Sequence, residues 1–451
     1  MSDFQKKDLP HQEGSVDASA VRFLRGRTPV IIEQNSVAKL VEIGALIYAG
    51  SGEELGLDCP RGTAHMTEHC LGLGSANFGP NQAEAIIKSC GGSLAAEVDQ
   101  ESMALRVFVP PEEVKAGIEA VADLVCRPRL SLKHFERERD VVMSEIMEAQ
   151  FHGDERDDNL LWHTAFGGHP YFATINGTFE SVQTITPGHL EMFHAACFRA
   201  ERTALFVNGP VDPDAVVSLA EPLWDLPSGM VSLPPQIPFV GGEVREHQDL
   251  LGARITIGFA APSFGHAAGV FATEVFALML GGEANGLLYE ELRTKRGLTY
   301  AGSNVDNFVL QNGSLFCVQG YALTKNVRPF LAILADTMGR LSRTSHADFI
   351  DFHLEQASEV FEDKMNDYLC VAERVRTKGP EAVMLEVKPP SIRQIQEAGR
   401  ALLKGPITLL LTGNLSEAPS YEEVQRLFAS AAVPAQRRRM VCRGNRRRQH
   451  G

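Results

Sequence analysis

The chain has 451 residues, a net charge of −14 at neutral pH, and 44% hydrophobic and 7% aromatic residues. That is more chain than one ordinary core accommodates, so two or three globular domains are expected, and the acidic balance argues against nucleic acid as the main partner. The eight cysteines are scattered with no C-x-x-C, which fits neither a disulfide framework nor a zinc knuckle and suits a reducing cytoplasm. Met1 to Glu13 is polar and mixed in charge, without the apolar centre of a signal peptide. No run approaches 18 apolar residues, so no membrane span is expected.

Residues 1–20 read as a flexible lead-in. Val41, Ile43, Ala45 and Ile47 alternate as in a half-buried strand. A loop rich in Gly and acids, Ser51 to Gly62, then delivers the chain to a short helix around His65. Ala83 to Ser89 reads as a helix stopped by Gly91-Gly92, and Leu105, Val107 and Val109 as a strand ended by Pro110-Pro111. Glu112 to Val125 has helical spacing. From His134 to Gln150, Phe135, Val142, Ile146 and Ala149 define an apolar face opposite a side crowded with Glu, Arg and Asp. Thr186-Pro187 supplies an N-cap and a first-turn proline for another helix. Thr203 to Val207 is a strand ending at Asn208-Gly209-Pro210.

Residues 229–240 are proline-rich and uncharged and read as a linker dividing the chain into comparable halves. Thr67-Glu68 aligns with Thr273-Glu274, 206 residues on, and strand-Asn208-Gly209 resembles strand-Thr412-Gly413, 204 residues on. This ordered match points to duplication. Under it His65 corresponds to Phe271 and His69 to Val275, so the second half would be a structural copy without ligands. It opens with alternating Ile255, Ile257 and Phe259, followed by a helix from about Ala268 to Leu280. Residues 437–451 form a tail with seven arginines, expected to be disordered and solvated; tethering to an anionic surface is the functional alternative.

His65-Met66-Thr67-Glu68-His69 carries the chemistry. Two imidazoles four residues apart share one helix face and can reach one ion, while Glu68 is placed to hold a water there. H-x-x-E-H is the inverzincin order and suits zinc-assisted hydrolysis. A catalytic zinc needs a third protein ligand, and Glu138, Glu145 and Glu148 lie on roughly one face of a later helix. Spacing alone does not choose among them.

With these motifs the sequence resembles the pitrilysin/insulinase family of zinc peptidases, whose relatives include the mitochondrial processing peptidase. The segment Glu136 to Ile146 resembles the family's E-R-x-x-V-x-x-E-I, which implies Glu145 as third ligand of one zinc per chain and Glu138 as a carboxylate supporting the ligands. His169-Pro170 to Gly177-Thr178 resembles the family's H-P…G-T stretch. Gly281-Gly282, Leu288 to Arg293 and Arg296 to Tyr300 resemble its second-domain signature. The resemblance covers about residues 20 to 420. It implies an α+β fold of two homologous domains, each a mainly antiparallel sheet packed with helices: residues 21–228 with the zinc site, and 241–436 without it.

The same resemblance implies that Glu68 is the general acid/base, that Tyr300 donates to the tetrahedral intermediate, and that Arg293 binds a substrate carbonyl. Leu94, Ala95 and Ala96 belong to a strand to which an extended peptide adds. Two departures are visible. Ala95 stands where the family has Asn, removing an amide near the reacting centre, and Met66 and Thr67 replace bulkier apolar residues, which is expected to alter pocket walls. The implied activity is zinc metalloendopeptidase acting on short or unfolded peptides, in a homodimer or a heterodimer with a related chain. The competing reading is a non-catalytic subunit of the same fold that presents substrate.

Overall fold

The computed structural model describes residues 18–432, apart from 26, 131, 152, 230–235, 264–266, 282–285, 301–302, 312 and 344–389. Residues 1–17 of the lead-in, 230–235 of the linker, Gly282 of the second-domain signature and the tail 437–451 lie outside the described residues, whereas residues 18–20, expected in the lead-in, belong to the first strand. The chain divides into two compact units, each with its own sheet.

The first unit holds β1 (Ala18–Leu24), β2 (Thr28–Gln34), β3 (Val41–Ile47), β4 (Ser93–Val98), β5 (Met103–Val109) and β6 (Thr203–Gly209) in the order β1-β2-β6-β3-β5-β4. Only the β2–β6 pair is parallel. Its helices include α1 (Thr63–Leu71), α2 (Val114–Cys126), α3 (Leu132–Phe151) and α4 (Pro187–Cys197). Ile43, Val107 and Val109 form one core with Ile118, Val121 and Val125 of α2. A side chain at Gly117 would strike Ile43 and Val109, so glycine there sets how closely α2 approaches the sheet. A second apolar cluster joins Met66 and Cys70 of α1 to Phe135, Val142 and Ile146 of α3 and Leu190 of α4.

The second unit orders β7 (Gly242–His247), β8 (Gly252–Ala261), β9 (Ser303–Phe308), β10 (Ser314–Leu323) and β11 (Ile407–Gly413) as β7-β11-β8-β10-β9. The segment Asp157–His169, inside the range expected for the first domain, packs with this unit; Asp157 there receives Arg254 Nη1 at 3.0 Å. α5 (Ala267–Leu280), α6 (Val327–Leu341), α7 (Ile392–Leu402) and α8 (Tyr421–Ala431) complete it.

The two sheets repeat one connection pattern. Strands β2-β6-β3-β5-β4 match β7-β11-β8-β10-β9, and the single parallel pair falls in the same place. Leu205 pairs with Ala45 as Leu409 pairs with Ile257, which reproduces the offset of 204 between β6 and β11. Gly209 and Gly413 end these strands with positive φ, each pressed against a neighbouring strand where a Cβ would collide. Thr67 Oγ1 donates to Thr63 O at 2.8 Å and Thr273 Oγ1 to Gly269 O at 2.9 Å, so α1 and α5 share this detail too.

Within the second unit, a π-helix, Tyr289–Thr294, buries Glu291 among Lys295, Arg296 and Arg340. Burial alone would raise this carboxyl, but hydrogen bonds from the three cations overcome it and pull its pKa down to about 2. The folded value lies below the unfolded one, so the stabilisation is complete above about pH 4.3 and is lost as pH falls through about 2. The cations are half exposed, which limits the worth of the cluster to about 1–2 kcal/mol. Glu291→Gln should therefore lower the thermal midpoint at pH 7 and cost visibly less at pH 3. An equal deficit at both pH values in thermal unfolding would assign the stability to packing instead.

Candidate metal centre

α1 is short because Gly62, at φ 91°, starts it and Gly72 follows its last residue. Its apolar side, Met66 and Cys70, is held against Phe135, Val142 and Ile146 of α3. Glu138 and Glu145 lie three residues beyond Phe135 and Val142, on the flank of that seam. His65 and His69 occupy the matching flank of α1, so helix packing turns two pairs of polar side chains toward one another.

The outcome is a tight convergence of donor atoms. His65 Nε2 and His69 Nε2 are 3.2 Å apart, and Glu145 Oε2 is 3.6 Å from the first and 3.4 Å from the second. Donors placed 2.0–2.2 Å from one tetrahedral zinc would be roughly 3.3–3.6 Å apart. Among the described residues these three form a group suited to a metal ion. Of the other two carboxylates that spacing left open, Glu138 Oε2 lies 3.6 Å from His69 Nδ1, on the far side of the ring, and Glu148 is exposed. Glu68 is buried, with Oε2 3.9 Å from His69 Nε2.

The buried imidazoles and carboxylates here shift one another's proton affinities. Burial, with a contribution from His69, pushes His65 down to about 4. Burial also opposes charge on His69, but the hydrogen bond to Glu145 and the carboxylates of Glu68, Glu145 and Glu138 together push it up to about 9. Burial pushes Glu68 up to about 7, against the pull of His69 and with help from Glu145, Glu97 and Glu138. His65 Nδ1 is buried without a hydrogen-bond partner among the described residues.

Met66 and Thr67 do not form pocket walls, contrary to expectation. Both are fully buried: Met66 fills the seam between α1 and α3, and Thr67 bonds back along its own helix. β4 lies at the edge of its sheet. Its Leu94 and Ala96 pack on the main core, so by strand alternation Ala95 points to the opposite face together with Glu97. Glu97 acts on Glu68 electrostatically; sequence reasoning passed over it, although its two-residue spacing from Ala95 marked the face. In the second unit, Arg293 sits on the π-helix with its guanidinium carbon 5.0 Å from the centre of the Tyr300 ring. Tyr300 is 85% exposed, which rules out a core role for it.

The converging donors predict one tight divalent site in the intact chain. Glu145→Ala should lower bound zinc after dialysis from about one equivalent to well under half; full retention, read by atomic absorption, would contradict the grouping.

Comparison with known proteins gives the family. Residues 29–178 match the family described as insulinase (peptidase family M16), and residues 184–353 match the peptidase M16 inactive domain. An uncharacterized zinc protease of Mycobacterium leprae (strain TN) is 27% identical over 319 residues, covering 67% of this chain and 71% of its own length. A probable mitochondrial-processing peptidase subunit beta of Arabidopsis thaliana is 24% identical over 437 residues, covering 91% of this chain and 81% of that protein. In fold, the chain superposes on a crystal structure of a peptidase M16 inactive domain from Pseudomonas fluorescens with a TM-score of 0.74 at 14% identity, covering 88% of this chain and 98% of that one. With its two halves matching the two domain types of one family in order, the chain belongs to the insulinase family of metallopeptidases, peptidase family M16.

Proposed function

We propose that this chain is a zinc-dependent metalloendopeptidase that hydrolyses peptide bonds of short or unfolded peptides. The observation that carries the proposal is the triangle of His65 Nε2, His69 Nε2 and Glu145 Oε2, with sides of 3.2 to 3.6 Å. Two imidazoles and one carboxylate are the donor set of a hydrolytic zinc with an open position. Zinc, when bound, supplies Lewis acidity toward water and carbonyl oxygen.

The chain's own residues do the rest. Glu68 takes the proton of the attacking water and returns it to the leaving amine. It is a buried carboxylate beside the triangle, with Oε2 3.9 Å from His69 Nε2. Glu138 Oε2, 3.6 Å from His69 Nδ1, favours a proton on that nitrogen, which leaves Nε2 free to be a ligand. The edge of β4 accepts an extended peptide by main-chain hydrogen bonds, a mode that selects for unfolded segments over particular side chains. Ala95 cannot supply the amide that the family places at this position, so peptide contact there falls to the main chain. Arg293 and Tyr300 serve the substrate carbonyl and the tetrahedral intermediate. The exposure of Tyr300 and its pairing with Arg293 support that reading.

The relative named as a subunit supports a dimeric assembly for this chain, with a second copy or with a related chain. Among the described residues no helix is long and apolar enough to cross a membrane. Action in the cytoplasm is part of the proposal.

Glu68→Gln should keep its zinc and lose at least about 10²-fold in kcat on an unstructured peptide. Turnover at the parent's rate would remove Glu68 from the chemistry, and absence of cleavage by the zinc-loaded parent would favour the substrate-presenting reading. Glu138→Gln should weaken zinc binding by about 10-fold, measured by chelator competition; unchanged affinity would assign Glu138 to the fold alone.

A further inference from the structure

One buried carboxylate near the centre has no part in the chemistry above. Glu54 is fully buried in the 3-10 turn Ser51–Leu55. α1 has no side-chain cap of its own, because its N-cap is Gly62. The first turn of a helix leaves backbone N–H groups without partners, and Ser, Thr, Asp or Asn normally accepts one of them. Here Ala64 N–H, next to His65, donates to Glu54 Oε1 at 2.8 Å from ten residues away. Glu54 Oε2 receives Arg61 Nη1 at 3.3 Å, and Arg61 also donates to Ser51 O and Pro170 O.

The other side of the turn is fastened to the hairpin that follows β4. Ser51 N–H donates to Asp99 O and Gly52 N–H to Gln100 O, both at 2.9 Å. Gly50 and Gly52 make this approach possible, since a Cβ on either would collide with the backbone of residues 99–101. A continuous hydrogen-bonded route therefore runs from the end of β4, through the turn and the Glu54 carboxyl, to the N-terminus of α1 one residue before His65.

We propose that Glu54 is a positioning residue: by capping α1 from a turn bonded to the β4 hairpin, it sets the ligand helix in register with the edge strand that receives peptide. This rests on the reading of His65, His69 and Glu145 as a zinc site. A serine at the N-cap could satisfy the same N–H group, but it would leave the helix free of the hairpin. The coupling requires the long reach of a glutamate from the turn. Burial pushes Glu54 up to about 7, against the opposing pull of Ala64 N–H and Arg61. Glutamine is thus a close mimic of the protonated side chain that is populated near neutral pH.

The test compares the full-length parent with Glu54→Gln, Glu54→Asp and Glu54→Ala. Zinc affinity is read by chelator competition, folding by circular dichroism, and kcat and KM on an unstructured peptide. Glutamine keeps both reach and acceptor, so it should bind zinc close to the parent. Aspartate keeps the charge but falls one methylene short of Ala64. It and alanine should lose about 10-fold or more in zinc affinity, with kcat lowered and KM retained. If aspartate matches the parent while glutamine does not, pairing with Arg61 is what matters and the proposal fails. Folded variants that all bind zinc like the parent overturn it as well. Should alanine not fold, the order of glutamine and aspartate still decides. A parent without zinc affinity would instead bring down the zinc-site reading, and this inference with it.

Discussion

The packing of α1 on α3 is the contact on which the candidate centre depends. Met66 and Cys70 meet Phe135, Val142 and Ile146 in an apolar cluster separate from the main core of the first unit. Burying those side chains contributes on the order of 1.5–3 kcal/mol each. That energy is available to offset what the neighbouring flank costs, where two imidazoles and three carboxylates crowd together. Helical periodicity then does the placing. Spacings of four on α1 and seven on α3 put His65 and His69 opposite Glu138 and Glu145 once the apolar stripes are in contact.

The electrostatics show how strongly these side chains act on one another. Glu68, Glu138 and Glu145 surround His69 closely enough to raise its proton affinity despite burial, while His65, deeper and facing His69, is driven the other way. Two ring nitrogens 3.2 Å apart cannot both present lone pairs or both present protons at low cost. A shared proton is one partial answer, and a divalent ion held by both nitrogens and the Glu145 oxygen would be a fuller one. Glu138, set behind His69, would then direct the ring instead of competing for the ion.

Much of this was legible in the sequence, for identifiable reasons. The strand Val41–Ile47 showed through its alternation, although all seven of its residues are buried and not one face only, and α3 showed through its 3.6-residue apolar pattern set against a charged face. The duplication showed faintly, in Thr67-Glu68 and in the glycines that end β6 and β11, and these are among the places where the backbone tolerates least change. β2 and β10 were not legible, because both are largely buried and their sequences lack alternation. The choice among Glu138, Glu145 and Glu148 could not come from spacing, since the side of α3 that meets α1 is decided by tertiary contact. The same cause misled the expectation for Met66 and Thr67. Residues inside a ligand motif look like pocket walls in a linear reading, but on a helix they fall on the faces between and behind the ligands.

The most direct test of the account is anomalous scattering at the zinc edge from crystals of the full chain grown with zinc. The account predicts one strong peak within about 2.0–2.2 Å of His65 Nε2, His69 Nε2 and a Glu145 carboxylate oxygen. A peak bound by Glu138 in place of Glu145, or no peak between α1 and α3, would contradict it.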